Sequence, residues 1–155
     1  MTTPVVASAE SRYETCAANV QLDEVTAWLE EAGAPYADKL WALMCAESTG
    51  KLDAVREDTN VYGAWQMSGA TLRRYGCSPL NSTLEEQTIC AAQYLRHLRD
   101  DMRMLSFEEL IHAWALGGHN FERRGRTGTK MSKNLVWTVK RMLELDRERR
   151  GSAGE

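Results

Sequence analysis

Glu47 is the residue whose type and position could do acid–base chemistry. It directly follows an apolar run from Leu40 to Ala46, which predicts a helix with Glu47 at its C-terminal end. A carboxylate there faces the negative end of the helix macrodipole, and apolar neighbours further disfavour its charged form. Both effects raise the carboxyl pKa, so a protonated Glu47 could donate to a leaving oxygen near neutral pH. The residues alone favour a solvated side chain in the last helical turn, and only the motifs that follow favour the catalytic interpretation.

A series of short motifs follows in a definite order. They are, along the chain, Glu47-Ser48, Gly63-Ala64-Trp65-Gln66-Met67, Ala70-Thr71, Tyr75-Gly76, a helix over Glu86–Leu98 with Tyr94-Leu95, and His112–Gly118. This order resembles the soluble lytic transglycosylases of the goose-type lysozyme-like superfamily, which carry Glu-Ser, Gly-Leu-Met-Gln, Ala-Thr, a Tyr-Leu pair and Ala-Tyr-Asn-Ala-Gly. The resemblance covers about residues 36–120, over half of the chain, and implies a lysozyme-like fold.

The resemblance implies cleavage of peptidoglycan with Glu47 as the catalytic acid and base. In the family a single Glu protonates the oxygen of the β-1,4 link between N-acetylmuramic acid and N-acetylglucosamine. It then acts as base on the C6 hydroxyl of the muramic acid, which closes a 1,6-anhydro ring without a cofactor or metal. Hydrolysis by water remains the variant, and Asp53, Glu57 and Asp58 would then be candidates for a second carboxylate.

The resemblance also implies a set of substrate-binding side chains around Glu47. They are Ser48, Trp65, Gln66, Met67, Tyr94 and Trp114. The amide of Gln66 carries donors and an acceptor for an N-acetyl group, but it also suits a polar loop residue. Ser48 could orient the Glu47 region or bond the helix backbone. Trp65 and Trp114 could stack on sugars, or they could pack in the core.

Besides Ala64-Trp65 in place of Leu-Met, two departures from the family pattern bear on catalysis. Trp114 stands where the family has Tyr, and Ala115 stands where it has Asn. In the family the Tyr hydroxyl helps to position the catalytic carboxyl, and the Asn amide helps to bind or stabilise sugar. An indole offers one donor and no acceptor. We therefore expect either another group to replace these contacts or a slow enzyme.

The elements that must position these residues are predicted to be mostly α-helical. We expect one lysozyme-like domain over residues 9–146, with a small loop or hairpin insertion over residues 51–68, after the catalytic helix. The segments 1–8 and 147–155 are expected to be flexible tails. The helix signals are Asp23 as N-cap and Gly33 as stop, Pro35 in the first turn of the helix that reaches Glu47, the capping boxes Thr83–Glu86 and Ser106–Glu109, a stop at Gly117–Gly118, and a last helix from about Ser132.

Composition excludes several classes of protein. The chain has 155 residues, of which 43% are hydrophobic and 26% charged, values typical of one globular domain. Its net charge of −3 argues against a nucleic-acid partner. No apolar run approaches the length of about 18 residues that a membrane helix needs, so no membrane insertion is expected. His97, His112 and His119 form no metal-binding motif.

The cysteines and the N-terminal residues bear on where the protein acts. Cys16, Cys45, Cys77 and Cys90 show no CxxC pair, and we expect them to be reduced core residues of a chain made in the bacterial cytoplasm. Residues 1–10 lack the pattern of a secretory signal.

These features favour a bacteriophage-encoded member of the family that acts on the cell wall in the periplasm. We expect a virion protein that opens the wall during genome entry, with the glycan strand and other virion or tail proteins as partners. A lysis endolysin and a non-catalytic tail or ejection component that keeps the fold remain alternatives.

Overall fold

The helix that carries Glu47 lies at the centre of the domain because almost every residue in it is apolar. The computed structural model describes residues 8–56, 58–102 and 105–153, with side chains described as far as Gly151. Within these ranges the helices are α1 (Ala9–Asn19), α2 (Leu22–Glu31), α3 (Trp41–Ser48), α4 (Gly69–Arg74), α5 (Leu84–Asp101), α6 (Phe107–Leu116), α7 (Gly118–Arg123) and α8 (Lys130–Ala153). The prediction of a mostly α single domain is confirmed.

The central helix α3 packs against α1, α2 and α8. Its residues from Trp41 to Ala46 are all buried, as is Ser48, while Glu47 is only partly covered. An eight-residue helix has too few turns to be stable alone in water, so this burial supplies most of its stability. The catalytic candidate is therefore held on a rigid, enclosed element.

Helices α5 and α6 complete the domain and begin at the predicted capping boxes. Thr83 and Glu86 exchange side chain–backbone hydrogen bonds at the start of α5, and Ser106 and Glu109 do so at the start of α6. Each pair satisfies two backbone N–H groups that have no partner within the helix. Helix α5 packs on α2 and α6, while α6 packs on α7 and α8.

The irregular segment after α3 forms a small antiparallel sheet, as the hairpin prediction expected. Its strands β1 (Val55–Arg56), β2 (Val61–Tyr62) and β3 (Met67–Ser68) lie in the order β1-β2-β3. Arg56 pairs with Val61, and Tyr62 pairs with Met67. The loop between β2 and β3 contains Gly63, at φ 84°, where an added Cβ would lie 2.4 Å from Oε1 of Gln87. Only glycine fits there, because both the backbone angle and the available space exclude a side chain.

Several predicted boundaries need correction. Pro35 does not open a helix, because residues 36–40 form turns and α3 begins at Trp41. Asp23 lies in the first turn of α2, which is preceded by Gln21. Gly117 ends α6 at φ 82°, but Gly118 then begins α7.

The predicted C-terminal tail is also different, because α8 continues through residue 147 as far as Ala153. Arg150 explains part of this extension, since it pairs with Asp146 one turn earlier and with Asp23 of α2, each at 2.8 Å. At the other end of the chain, Ser8 is the N-cap of α1, a helix that the sequence analysis did not predict. Residues 1–7 and 154–155 lie outside the described residues.

The cysteines are paired, so the expectation that they are reduced is wrong. Cys16 of α1 is bonded to Cys45 of α3, with Cα atoms 5.5 Å apart, and Cys77 is bonded to Cys90 of α5, with Cα atoms 6.6 Å apart. Pairs separated by 29 and 13 residues carry no local sequence signal, because the fold alone brings them together. Disulfides persist in oxidising compartments such as the bacterial periplasm.

Two kinds of feature are absent from the described part of the chain. No helix in it is long and apolar enough to cross a membrane. No group of three or more His, Cys, Asp or Glu side chains within the same residues is arranged to hold a metal ion.

Candidate functional site

Glu47 lies where α3 ends and meets the loop between β2 and β3. The helix is closed by Thr49, which takes the left-handed conformation at φ 56° and whose N–H donates to the Cys45 carbonyl. The hydroxyl of Ser48 donates to the Ala64 carbonyl and accepts from the N–H of Gly50 at 3.1 Å. Ser48 therefore orients the end of α3 by bonding backbone on both sides, and it is too buried to serve as a direct sugar contact.

Helix α1 fixes the same helix end from the other side. The guanidinium of Arg12 donates to the carbonyl of Ala46, and the side chain of Asn19 donates to the carbonyl of Thr49 at 2.9 Å. The disulfide from Cys16 reaches Cys45, two residues before Glu47. The backbone around Glu47 is thus held by hydrogen bonds and one covalent link.

Burial makes Glu47 a weaker acid than a solvated glutamate. It raises the pKa of the carboxyl from 4.5 to about 7, and it outweighs three effects that favour the charged form. Those effects are a hydrogen bond from the indole N–H of Trp114 and the positive charges of Arg12 and Arg56. A pKa near 7 lets one carboxyl both give and take a proton at neutral pH.

The indole of Trp114 lies next to the carboxyl of Glu47, but its side chain is only 8% exposed and packs in the core, so it is not the direct substrate contact that was predicted. Its Nε1 donates to Oε2 of Glu47 over 3.4 Å, a long hydrogen bond. The resemblance implied a Tyr hydroxyl at this contact, and an indole makes it here. Ala115, the second departure from the pattern of that resemblance, is exposed on α6.

Aromatic rings continue from Trp114 in one row. Its ring centroid lies 5.5 Å from that of Tyr94, which lies 6.4 Å from Tyr75. On the other side, Trp114 meets the edge of Trp65 at 6.0 Å. Tyr94 and Tyr75 are partly exposed, and no hydrogen bond of the Tyr94 hydroxyl is found within the described residues. Their faces and hydroxyl groups are suited to contact with a sugar ring.

Trp65 and Met67 are not groove residues, which corrects two predicted substrate contacts. Trp65 is 1% exposed and donates from its indole to Thr88 Oγ1 at 3.1 Å, while Met67 is 3% exposed. Both side chains belong to the core under the loop. Large apolar residues more often pack in a protein core than bind a ligand, and both Trp65 and Met67 are packed in the core.

The amide of Gln66 stabilises the loop. Its Nε2 donates to the carbonyls of Ala54 and Gly63, at 3.1 and 2.8 Å. These bonds support a backbone with φ 51° at Gln66, an angle that is uncommon for residues other than glycine. The donors predicted for an N-acetyl group are therefore occupied within the protein.

Within the described residues, no second carboxylate is among the charges that act on Glu47. Asp53 and Asp58 are exposed, and neither is among the charges that act on Glu47. Glu57 lies outside the described residues. Among the described residues, the local arrangement is one carboxyl with two guanidinium groups.

Sequence reasoning missed Gln87, Arg12 and Arg56. Gln87 is buried on α5 and accepts from the N–H of Ala64 at 2.9 Å, so it fixes the loop that Ser48 also holds. A buried polar residue on an apolar helix face was the available signal for Gln87. Arg12 and Arg56 carried none, because their proximity to Glu47 depends on the packing of α1 and the sheet.

Two hollows on the described surface do not have Glu47 among their lining residues. One of about 380 Å³ is formed by α1 and α8, and one of about 750 Å³ is lined by residues of α3, α6 and α8 including Trp41 and Phe107.

Comparisons with family models, with curated proteins and with solved structures found no match to this chain. The geometry around Glu47 therefore carries the evidence for function.

Proposed function

We propose that this protein is a peptidoglycan lytic transglycosylase that cleaves the β-1,4 link between N-acetylmuramic acid and N-acetylglucosamine. The observation that carries the proposal is the partly buried carboxyl of Glu47, with a pKa of about 7, beside the indole of Trp114. A single carboxyl of this acidity can serve in both halves of the reaction. The motif order from Glu47-Ser48 to His112–Gly118 supports the same assignment.

In the first step, protonated Glu47 donates its proton to the glycosidic oxygen as the bond to C1 of the muramic acid breaks. The carboxylate that forms is stabilised by the indole N–H of Trp114 and by the charges of Arg12 and Arg56. In the second step, this carboxylate removes the proton of the C6 hydroxyl, and the C6 oxygen bonds to C1. Glu47 is then protonated again, and the product ends in a 1,6-anhydro ring.

The row of aromatic rings suggests where the sugars lie. Tyr94 and Tyr75 extend from Trp114 and are partly exposed, so their faces would pack on the sugar rings on one side of the cleaved bond. Apolar ring faces also limit the access of water to C1, which favours the internal hydroxyl as nucleophile over hydrolysis.

The proposed place of action is the cell wall. Two disulfides suit a protein that works in an oxidising compartment such as the periplasm. We infer a phage protein, either carried in the virion to open the wall during genome entry or acting as a lysis enzyme. Other virion or tail proteins would be partners in the first case.

A non-catalytic virion component is the second candidate, and one observation favours it. The donors of Gln66 and the indole of Trp65 are used inside the protein, so the surface around Glu47 offers fewer polar contacts to sugar than the family pattern implies. Such a protein would bind glycan strands without cleaving them.

The variant Glu47→Gln separates these candidates. The amide nearly preserves the shape of the side chain but cannot supply a proton, so release of muropeptides from purified peptidoglycan should fall by about 10²–10⁴-fold. Glu14→Gln, an exposed change on α1, is the matched control and should retain activity. Equal activity of Glu47→Gln and wild type would contradict the proposal, and an inactive but folded wild type would favour the binding protein.

A further inference from the structure

Trp137 is an exposed tryptophan near the start of the long helix α8. It is 63% exposed, whereas the other four tryptophans of the chain are buried or half-buried. An indole that stays in water forgoes the free energy that its burial would supply. A contact of this ring with another molecule would recover that free energy.

Two lysines share the outward side of α8 with Trp137. Lys130 and Lys133 precede it by seven and four positions, spacings that place the three residues on one side of a helix. The opposite side of α8 faces the core, where Val139 is fully buried. The exposed residues Lys130, Lys133, Asn134 and Trp137 are called the α8 patch below.

The positive charges of the α8 patch have no partner in the protein. The side chains of Lys130 and Lys133 make no hydrogen bond or ion pair within the described residues. Further along the helix, Lys140 is paired with Glu108 at 2.7 Å. The segment 119–137 carries five Lys and Arg against one Glu, although the chain has a net charge of −3. This segment is therefore cationic on an acidic protein, and it would attract an anionic ligand.

Hydrogen bonds fix the start of α8 on α6. The hydroxyl oxygen of Ser132 lies 2.7 Å from Nδ1 of His112 on α6 and accepts the N–H of Thr129 at 2.8 Å. Gly128 packs so closely on the ring of His112 that a Cβ has no room there. The α8 patch thus has a defined position before any ligand binds, which lowers the entropic cost of binding.

Helix α6 lies between the α8 patch and Glu47. His112 contacts α8, whereas Trp114, two positions later, donates to Glu47. Side chains two positions apart on a helix differ in direction by roughly 200°. The α8 patch is therefore on a different side of α6 from Glu47, and a ligand bound there would not occupy the place of the cleaved bond.

We propose that the α8 patch is a second binding site for peptidoglycan, which anchors the protein to the polymer. The inference rests on the proposed function, because it assumes the same polymer as substrate. The flat indole of Trp137 would pack on the apolar face of a sugar ring, and the amide of Asn134 could bond sugar hydroxyls. Lys130 and Lys133 would pair with carboxylates of the peptide stems.

Three other occupants fit the α8 patch less well. A bilayer surface needs a helix with an apolar face, but the patch has one ring among three polar side chains. A nucleic acid needs many phosphate contacts, which two unpaired lysines on a chain of net charge −3 do not supply. A second copy in a symmetric dimer would bring like charges together.

Cosedimentation of the Glu47→Gln protein with insoluble peptidoglycan measures anchoring without turnover. In this background, Trp137→Ala should weaken binding about tenfold, which corresponds to about 1.4 kcal/mol. Trp137→Phe should retain most of the binding, because a ring face remains. Leu80→Ala, which changes a residue that is 71% exposed in the turn before α5, is the matched control and should bind normally.

The lysines are tested through their charge. The double change Lys130→Gln with Lys133→Gln should weaken binding about tenfold at low ionic strength and much less at about 1 M salt, where charges are screened. It should have no effect on methyl-esterified peptidoglycan, which lacks stem carboxylates. Arg99→Gln with Arg147→Gln removes the same charge from exposed residues outside the patch and is the control.

Unchanged binding in either set of variants would overturn the inference. So would a greater loss of binding to anionic lipid vesicles or to single-stranded DNA than to peptidoglycan, or a dimer that Trp137→Ala dissociates. If the wild type releases no muropeptides but both sets lose binding as expected, only the proposed activity fails. If muropeptides are released and both sets bind normally, only the anchoring site fails.

Discussion

At the scale of the residue, the pKa of Glu47 is set by two opposing effects, burial and nearby positive charge. Burial alone would leave the carboxyl protonated and unable to act as a base, whereas the Trp114 indole and two guanidinium groups favour the carboxylate. The result is a pKa of about 7, so that both the protonated carboxyl and the carboxylate are present at neutral pH, as the proposed reaction requires. Two predictions follow from this balance.

The first concerns Trp114→Phe, which removes the indole donor and keeps an aromatic ring. The bond from Trp114 favours the charged carboxyl, so its loss should raise the pKa of Glu47 further. The alkaline limb of the pH–activity profile should then move upward by as much as about one pH unit, since the bond is long. Trp137→Phe, which changes an indole that is 63% exposed on α8, is the control. A limb that stays in place in Trp114→Phe would show that the indole does not act on Glu47.

The second prediction links the acidity of Glu47 to stability. Its pKa is raised from 4.5 in the unfolded chain to about 7 in the fold, so the native state binds the proton more tightly. The stabilisation is complete below pH 4.5 and is lost as the pH rises through 7. Relative to Glu47→Gln, the free energy of unfolding of the wild type should therefore decrease by about 3 kcal/mol across this window. Denaturant unfolding at several pH values measures the difference, and parallel curves for the two proteins would contradict the assigned pKa.

At the scale of the element, local signals were readable from the sequence and distant contacts were not. Both capping boxes were predicted because each joins residues three positions apart. The Cys16–Cys45 pair and the contact of Arg12 with Ala46 span 29 and 34 residues, so only the packing of α1 on α3 creates them. Trp65 was misassigned for a related reason, because residue type alone does not distinguish a core indole from a sugar-facing one.

The Cys16–Cys45 bond ties α1 to the end of α3 that carries Glu47, and its removal should affect both stability and the proposed activity. A closed loop of 29 residues stabilises the fold by roughly 3–4 kcal/mol through the entropy of the unfolded chain. The double change of Cys16 and Cys45 to Ser should lower the unfolding free energy by about that amount. It should also lower lytic activity more than the removal of Cys77–Cys90, which joins α5 to the segment after α4 and not α1 to α3.

Unfolding in denaturant and muropeptide release at a temperature where both variants remain folded provide the measurements. Equal activity of the two disulfide variants would show that the α1–α3 link has no special role in positioning Glu47.

At the scale of the whole molecule, the fold places one carboxyl at the junction of a buried helix, a hydrogen-bonded loop and the guanidinium of Arg12. Helix α8 packs against α1, α3 and α6, and thereby joins the elements on both sides of the site. The charge distribution is uneven, because a chain with a net negative charge places positive charges where they act on its candidate catalytic residue. The mostly α class was predictable from periodicity, whereas this arrangement of charge required the fold.

The most direct test of the proposed reaction is the chemistry of the product ends. Purified peptidoglycan digested by the wild-type protein should yield muropeptides that end in 1,6-anhydromuramic acid. Mass spectrometry should show them lighter than the corresponding lysozyme products by the mass of one water, and digestion by Glu47→Gln should yield none above background. Reducing ends alone would contradict the single-carboxyl mechanism and indicate hydrolysis, with Asp53, Glu57 and Asp58 as the residues to examine next.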